Sequence, residues 1–334
     1  MIIKINDAEE VVHKVLLKWG FPKKDAEIML GNMIDAELSG KKSHGFTNLF
    51  WYKKVVDGEY GPLNKSGVEP TISKETKVSL TIDGKEKTGY VVMKYGLELA
   101  LKKVKETGLV STALTNTAPT IGFIGSWAKM ATNQGFIFIC FSNAGSSTSP
   151  FGTTKKIVGT NPIAFGIPTG ETPIILDMAT AATTYANLQR SKALGLPIPE
   201  NVGLNANGEL VNDPNAILSG GSLIPFGGYK GSGISLMTEI LAGALTGSKA
   251  GSNNVPYWGT FFLLIDPTLY SERDEFYKRV KTFRDEIKNS PKRPDVEEIF
   301  LPGEKSQNLY QKNLEKGEID IDDNFFDRLK EISS

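Results

Sequence analysis

VSTALT (110–115), FIFICFS (136–142), IAFGI (163–167) and IIL (174–176) follow one another along the middle of the chain. Each run is short, apolar and flanked by turn-forming residues, which is how strands read in sequence. Only one stretch between them, 125–132, is long and helical enough to serve as a crossover. Parallel neighbours need such crossovers, so most of these strands must return antiparallel. The expected fold class is therefore α+β: a mixed, largely antiparallel sheet with helices, not a doubly wound parallel one.

Working outward, 78–83 (VSLTID) alternates and reads as a strand ended by Asp83-Gly84. In 90–105 apolar residues recur at three and four, with Lys102, Lys103 and Lys105 near the end and Gly108 beyond, as in a helix with favourable C-terminal charge. Residues 6–38 read as two helices broken at Gly20-Phe21-Pro22, with Asp7 and Glu10 at capping-box spacing. Downstream, 190–221 is rich in Gly, Pro and Asn and reads as a long irregular excursion. An apolar helix at 234–245, a strand at 261–265, an amphipathic helix at 274–288 and a turn at 301–305 before a charged helix complete the chain.

The length of 334 residues exceeds what one core usually holds, so two lobes are expected. Thirty-eight basic residues balance 38 acidic ones, which supplies no electrostatic reason for a nucleic acid or membrane partner. The N-terminus has no signal-like apolar region and no run approaches the roughly 18–20 apolar residues of a membrane helix, so a cytoplasmic protein is expected. The single cysteine, Cys140, sits among Phe138, Ile139 and Phe141 and reads as a buried, inert thiol.

Two histidines bound the acid-base chemistry. His13 falls off the apolar stripe of its helix and reads as solvated. His44 lies in ELSGKKSHGFTNLFWY (37–52), between Ser43 and Gly45, where a ring can be held by backbone contacts while facing a cleft. Its ordinary pKa of about 6.5 suits proton transfer, yet a structural capping role fits the same position. Phe50, Trp51 and Tyr52 beyond it read as core aromatics. The glycine-rich run 227–233 opens a helix, where free N–H groups can hold phosphate or simply begin the helix. There is no G-x-G-x-x-G after a strand, no P-loop, no H-E-x-x-H and no cysteine cluster, so Rossmann, Walker and metal sites have no support.

Several segments together resemble one family, the type-2 malate/L-lactate dehydrogenases, which includes L-sulfolactate, ureidoglycolate and diketogulonate enzymes. They are Glu37-Leu38-Ser39-Gly40 with Ser43-His44-Gly45, Asp83-Gly84, Gly159-Thr160-Asn161-Pro162, Leu176-Asp177-Met178-Ala179-Thr180, Asp213-Pro214, the Pro225–Gly233 run and Pro302-Gly303-Glu304. The resemblance implies an oxidoreductase of the 2-hydroxyacid dehydrogenase kind using NAD or NADP on a non-Rossmann α/β lobe at 76–269. A helical lobe would form from 1–75 and 270–334, and the protein would be a homodimer. It implies His44 as proton donor and acceptor, assisted by Asp177. Ser43, Asn48, Tyr52 and Thr120 fall at substrate-side positions. Ile174, Leu176, Asp177, Met178, Ala179, Thr180, Tyr229, Lys230, Gly303, Glu304 and Lys305 fall at cofactor-contacting ones.

Two departures stand out. Asn48 occupies a position where the family pattern carries a carboxylate-pairing arginine, and Thr120 one where it carries a histidine. Asparagine lacks the charged fork that reads a carboxylate, which leaves Lys53 and Lys54 as candidate substitutes or as solvated surface charge. A catalytically impaired family member, kept as a dinucleotide-binding or interaction protein, is the alternative reading.

Overall fold

The computed structural model describes residues 1–334 apart from Ser252 and Asn254 and the side chains of Ala193 and Leu194. A short strand, β1 (Ile2–Lys4), runs directly into α1 (Ile5–Lys18), and α2 (Lys23–Leu38) follows the expected break. The capping box expected from Asp7 and Glu10 does not form: the helix begins behind Lys4, without a side-chain cap. Tertiary structure does that work, since the Ile5 N–H donates to the Gly317 carbonyl at 3.0 Å. His13 is half-buried rather than solvated, and its Nε2 has no polar partner. After the His44 segment comes α3 (Asn48–Val56).

The sheet strands are β2 (Thr71–Glu75), β3 (Ser79–Asp83), β4 (Leu109–Thr117), β5 (Ile137–Ser142), β6 (Ile163–Ile167) and β7 (Ile174–Met178). Between them lie α4 (Gly89–Thr107), which ends at left-handed Gly108, and α5 (Ile124–Thr132). A further strand, β11 (Trp258–Ile265), enters between β4 and β5 and is antiparallel to both. The seven-stranded order is thus β2-β3-β4-β11-β5-β6-β7, and only β3 and β4 run parallel. The mixed α+β class holds. The crossover that makes the parallel pair is α4, whereas α5, the stretch singled out in sequence, joins strands that are not neighbours.

The stretch expected to be irregular is ordered. It contains α6 (Tyr185–Leu194), β8 (Gly203–Leu204), β9 (Leu210–Val211), α7 (Pro214–Leu218) and β10 (Ser222–Leu223), with the strands paired in a small sheet. Leu188, Ile198, Val202, Ile217 and Leu223 give it a core of its own, too sparse in sequence to show as a period. Next come α8 (Tyr229–Glu239), extended by a π-helical turn (Ile240–Ala244), and β11 (Trp258–Ile265), whose Phe262 and Leu264 are fully buried. The chain closes with α9 (Arg273–Lys288), α10 (Glu304–Lys316), β12 (Glu318–Asp320) and α11 (Asp323–Ser333).

Two buried clusters organise the molecule. One lies beneath the sheet, where Val92, Leu97 and Val104 of α4 and Trp127 and Ala128 of α5 pack on Leu114, Phe138 and Phe262. The other joins Val12 and Leu16 of α1, Met29 and Met33 of α2, and Leu49 and Tyr52 of α3 to Ile319, Phe326 and Leu329 near the C-terminus. Pairing of β1 with β12, Ile3 opposite Ile319, ties the two chain ends together. No helix is long and apolar enough to cross a membrane among the described residues.

Candidate active site

The His44 loop is clasped from α2. The Glu37 carboxylate, almost wholly buried, accepts the Phe46 N–H at 2.7 Å and pairs with the Lys42 ammonium at 3.0 Å. The Lys41 carbonyl accepts the His44 and Gly45 N–H groups at 2.9 and 3.1 Å. Ring orientation comes from Ser43, whose Oγ is hydrogen-bonded to His44 Nδ1 at 3.0 Å. Burial, reinforced by the nearby Lys41 charge, lowers the His44 pKa to about 4, so the ring is neutral at pH 7.

Asp177 stands on β7. Its Oδ2 accepts the Gly125 N–H at the start of α5 at 2.8 Å. Burial pushes its pKa up to about 6, against the opposing pull of that N–H and of Lys41. Expected to hold the His44 ring, Asp177 forms neither a hydrogen bond nor an ion pair with it among the described residues; Ser43 takes that role. Lys41 is instead the charge felt by both groups.

A cavity of about 120 Å³ opens beside Asp177. Lys41, Phe123, Ser126, Leu176, Gly303 and Tyr310 are among the residues that line it. That volume is comparable to engineered cavities that take up one small aromatic ring. It is too small for a dinucleotide, so at most one ring of such a cofactor could enter it and the rest would have to lie outside.

Two of the three expected cofactor segments converge on this cavity. The Ile175 N–H donates to the Pro302 carbonyl at 3.2 Å, and Gln307 Nε2 donates to the Pro173 carbonyl at 2.9 Å. Gly303 has φ +83°, and a Cβ there would meet the Ile175 carbonyl at 2.5 Å, so only glycine brings this turn against β7. Glu304 is paired with Lys288 at 2.7 Å, and Lys305 lies over the Phe300 ring, 4.3 Å from its centroid. Ile174 and Met178 are the first and last residues of the same strand, and Ala179 and Thr180 follow it. Tyr229 and Lys230 do not line the cavity; both are exposed at the start of α8. They are linked to it along the backbone, since the Phe226 N–H donates to the Thr180 carbonyl at 3.0 Å.

Two of the residues expected at substrate-side positions, Asn48 and Tyr52, meet Tyr90, which sequence reading had assigned only to a helix. Asn48 Nδ2 donates to the Tyr90 hydroxyl at 3.3 Å, and Tyr52 meets the Tyr90 ring edge-on at 6.1 Å. Tyr52 and Tyr90 are both fully buried, and neither they nor Asn48 and Thr120 line the cavity. Thr120 is half-buried and accepts the Gly122 N–H at 3.3 Å. Lys53 and Lys54, offered as replacements for a missing arginine, pair with Asp57 and Glu59 on α3 and its end.

Sequence reading missed the far wall. Ser126 donates to the Asp35 carboxylate, and Lys129 sits 3.4 Å from the Tyr310 ring centroid. Burial lowers the Lys129 pKa, with Asp35 opposing; burial and the Asp35 charge raise Tyr310 to about 12. These residues come from α2, α5 and α10, and no local spacing joins them. Cys140 is buried and its thiol pKa is pushed well up, as an inert core residue.

His44 itself does not line the cavity; its neighbour Lys41 does, on a mixed sheet-and-helix fold without a Rossmann fingerprint. A profile of the malate/L-lactate dehydrogenase family matches residues 3–330, and the chain belongs to that family. It is similar to malate dehydrogenase of Pyrococcus abyssi, 36% identical over 96% of this chain and 91% of the relative. The solved sulfolactate dehydrogenase of Methanocaldococcus jannaschii superposes with a TM-score of 0.86 at 33% identity, over 99% of this chain and 96% of that one. (2R)-3-sulfolactate dehydrogenase (NADP(+)) of Chromohalobacter salexigens is 30% identical over 81% of this chain and 83% of its own length. The protein is thus a malate/sulfolactate dehydrogenase-like oxidoreductase of the NAD(P)-dependent hydroxyacid dehydrogenase class.

Proposed function

We propose that the protein transfers a hydride between NAD or NADP and a small 2-hydroxy or 2-oxo acid, with His44 as the proton acceptor and donor. The carrying observation is His44 itself: neutral at pH 7, fixed by Ser43, and next to a cavity-lining cation. The cofactor, when bound, supplies or accepts the hydride. Leu176, Asp177 and Gly303 would hold its ring end, and Tyr229 and Lys230 its outer part. For alcohol oxidation Nδ1–H must donate to Ser43 Oγ, which leaves Nε2 free to take the hydroxyl proton. In reduction the same nitrogen returns it, a role typically worth about 10² to 10⁴ in rate.

A panel of 2-oxo acids and imino acids with NADH and NADPH, followed by loss of cofactor absorbance, tests this reading. Turnover supports it. Cofactor binding without turnover across the panel would favour the catalytically impaired alternative, which Asn48 and Thr120 motivate.

We also propose that the active form is a homodimer. Supporting this, Leu236, Met237, Ile240 and Leu245 on α8 and its π-helical extension are 44–60% exposed, with Tyr229 and Phe151 exposed beside its start. Such a contiguous apolar face on a soluble chain usually marks an interface, and a twofold axis would set it against itself. Light scattering on Leu236→Glu should show monomer where the parent shows dimer; a monomeric parent refutes the assignment.

A further inference from the structure

We propose that Lys41 binds the carboxylate that every 2-hydroxy acid carries next to its hydroxyl, and so determines the specificity of this site. The inference rests on the dehydrogenase reading above, and it starts from how the lysines around His44 are used. Lys42 is paired with Glu37, Lys53 with Asp57 and Lys54 with Glu59. Across the cavity, Lys129 is engaged by the Tyr310 ring. Lys41 lines the cavity half-buried, and among the described residues its ammonium makes no hydrogen bond and no ion pair. A half-buried cation without a partner is costly, and an anionic ligand resolves that cost.

Its position fits the reaction. The Lys41 carbonyl accepts the His44 N–H at 2.9 Å and its charge acts on the ring, so a carboxylate on the ammonium would present the adjacent hydroxyl on the His44 side of the cavity. Asn48 brings no charge to that carboxylate, and one N–H of its amide is already donated to Tyr90. The bound anion also offsets the Lys41 charge, which raises the proton affinity of His44 when substrate is present. Asp177 on β7 is the other titratable group that shares the Lys41 field.

The test compares the parent with Lys41→Met and Lys41→Arg. The best acid of the panel is measured by steady-state kinetics. L-malate and L-lactate are titrated against the His44 resonance, which is resolvable by NMR in a chain with two histidines. In Lys41→Met, KM should rise about 10- to 100-fold with kcat within about threefold, the range for losing a charge-assisted contact. Lys41→Arg should stay within about fivefold. The His44 resonance should titrate at higher pH in Lys41→Met, and both acids should shift it in the parent but not in that variant. A KM within threefold, a tenfold loss of NADH affinity with unchanged KM, or a loss confined to malate would overturn the assignment. If no acid turns over, the dehydrogenase reading fails, and the NMR titration still decides the carboxylate site: no shift of the parent by either acid refutes it.

Discussion

Replacing Lys87 with methionine should destabilise the protein by about 3–5 kcal/mol, because it strands a buried carboxylate. Lys87 Nζ lies 2.7 Å from Asp25 Oδ2, and the two side chains are 1% and 3% exposed. At that separation and an effective dielectric of about 20, the gross attraction is about 6 kcal/mol, most of it offset by desolvation. The same ammonium donates to the Ser66 carbonyl at 2.9 Å, so the variant also loses a charged hydrogen bond. The pair joins α2 to the turn that launches α4. The Lys87 carbonyl accepts the Ala118 N–H at 3.0 Å, which fixes the segment running on to Thr120. Both Tyr90 and Thr120 therefore hang from this contact, and kcat/KM should fall along with stability. Urea unfolding followed by tryptophan fluorescence measures the loss: Trp19 and Trp51 report the helical cluster, Trp127 the sheet cluster. The double variant Asp25→Leu with Lys87→Met should recover most of it, since it removes both charges together. A single-variant loss below about 1 kcal/mol, or a double variant no better than the single, would refute the reasoning.

His44→Gln should lower kcat by about 10² to 10⁴ while cofactor affinity, read by fluorescence titration, stays within a few-fold. An unchanged kcat removes His44 from the mechanism. The same residue sets a pH dependence of stability. Its folded pKa of about 4 lies below the ordinary 6.5, so between those values the unfolded chain binds the proton and the folded one does not. Stability therefore falls as pH drops from about 6.5 towards 4. Asp177, raised to about 6, works in the opposite sense. The difference between parent and His44→Gln in urea midpoint across pH 4–7 isolates the histidine; parallel curves contradict the assigned shift. Lys230→Met should weaken cofactor binding about 10- to 100-fold with folding intact, and unaltered binding would reduce the α8 start to a structural turn. Gly303→Val should harm both cofactor binding and stability, since its side chain meets the Ile175 carbonyl and the backbone holds φ +83°.

Local pattern was enough for the elements whose signal is local. The runs that became β4 to β7, the Gly-Phe-Pro break between α1 and α2, and Gly108 behind α4 were all legible, because period, turn chemistry and left-handed backbone are properties of neighbouring residues. Family resemblance added the loop that carries His44 and the turn at Gly303, each written in consecutive residues. Tertiary structure decided the rest. Nothing near residues 258–265 says that this strand enters between β4 and β5, since strand order follows from which apolar faces can be buried together. The capping box was mistaken because a distant carbonyl, that of Gly317, satisfies the first turn of α1. The three-stranded unit at 203–223 escaped notice because two-residue strands carry no period. The far wall of the site, Asp35, Ser126, Lys129 and Tyr310, and the buried pair of Asp25 with Lys87 join residues remote in sequence. Their chemistry lies in burial and separation, which a one-dimensional pattern does not encode; the same holds for the Lys41 ammonium, unpaired among the described residues while the neighbouring lysines have partners in space.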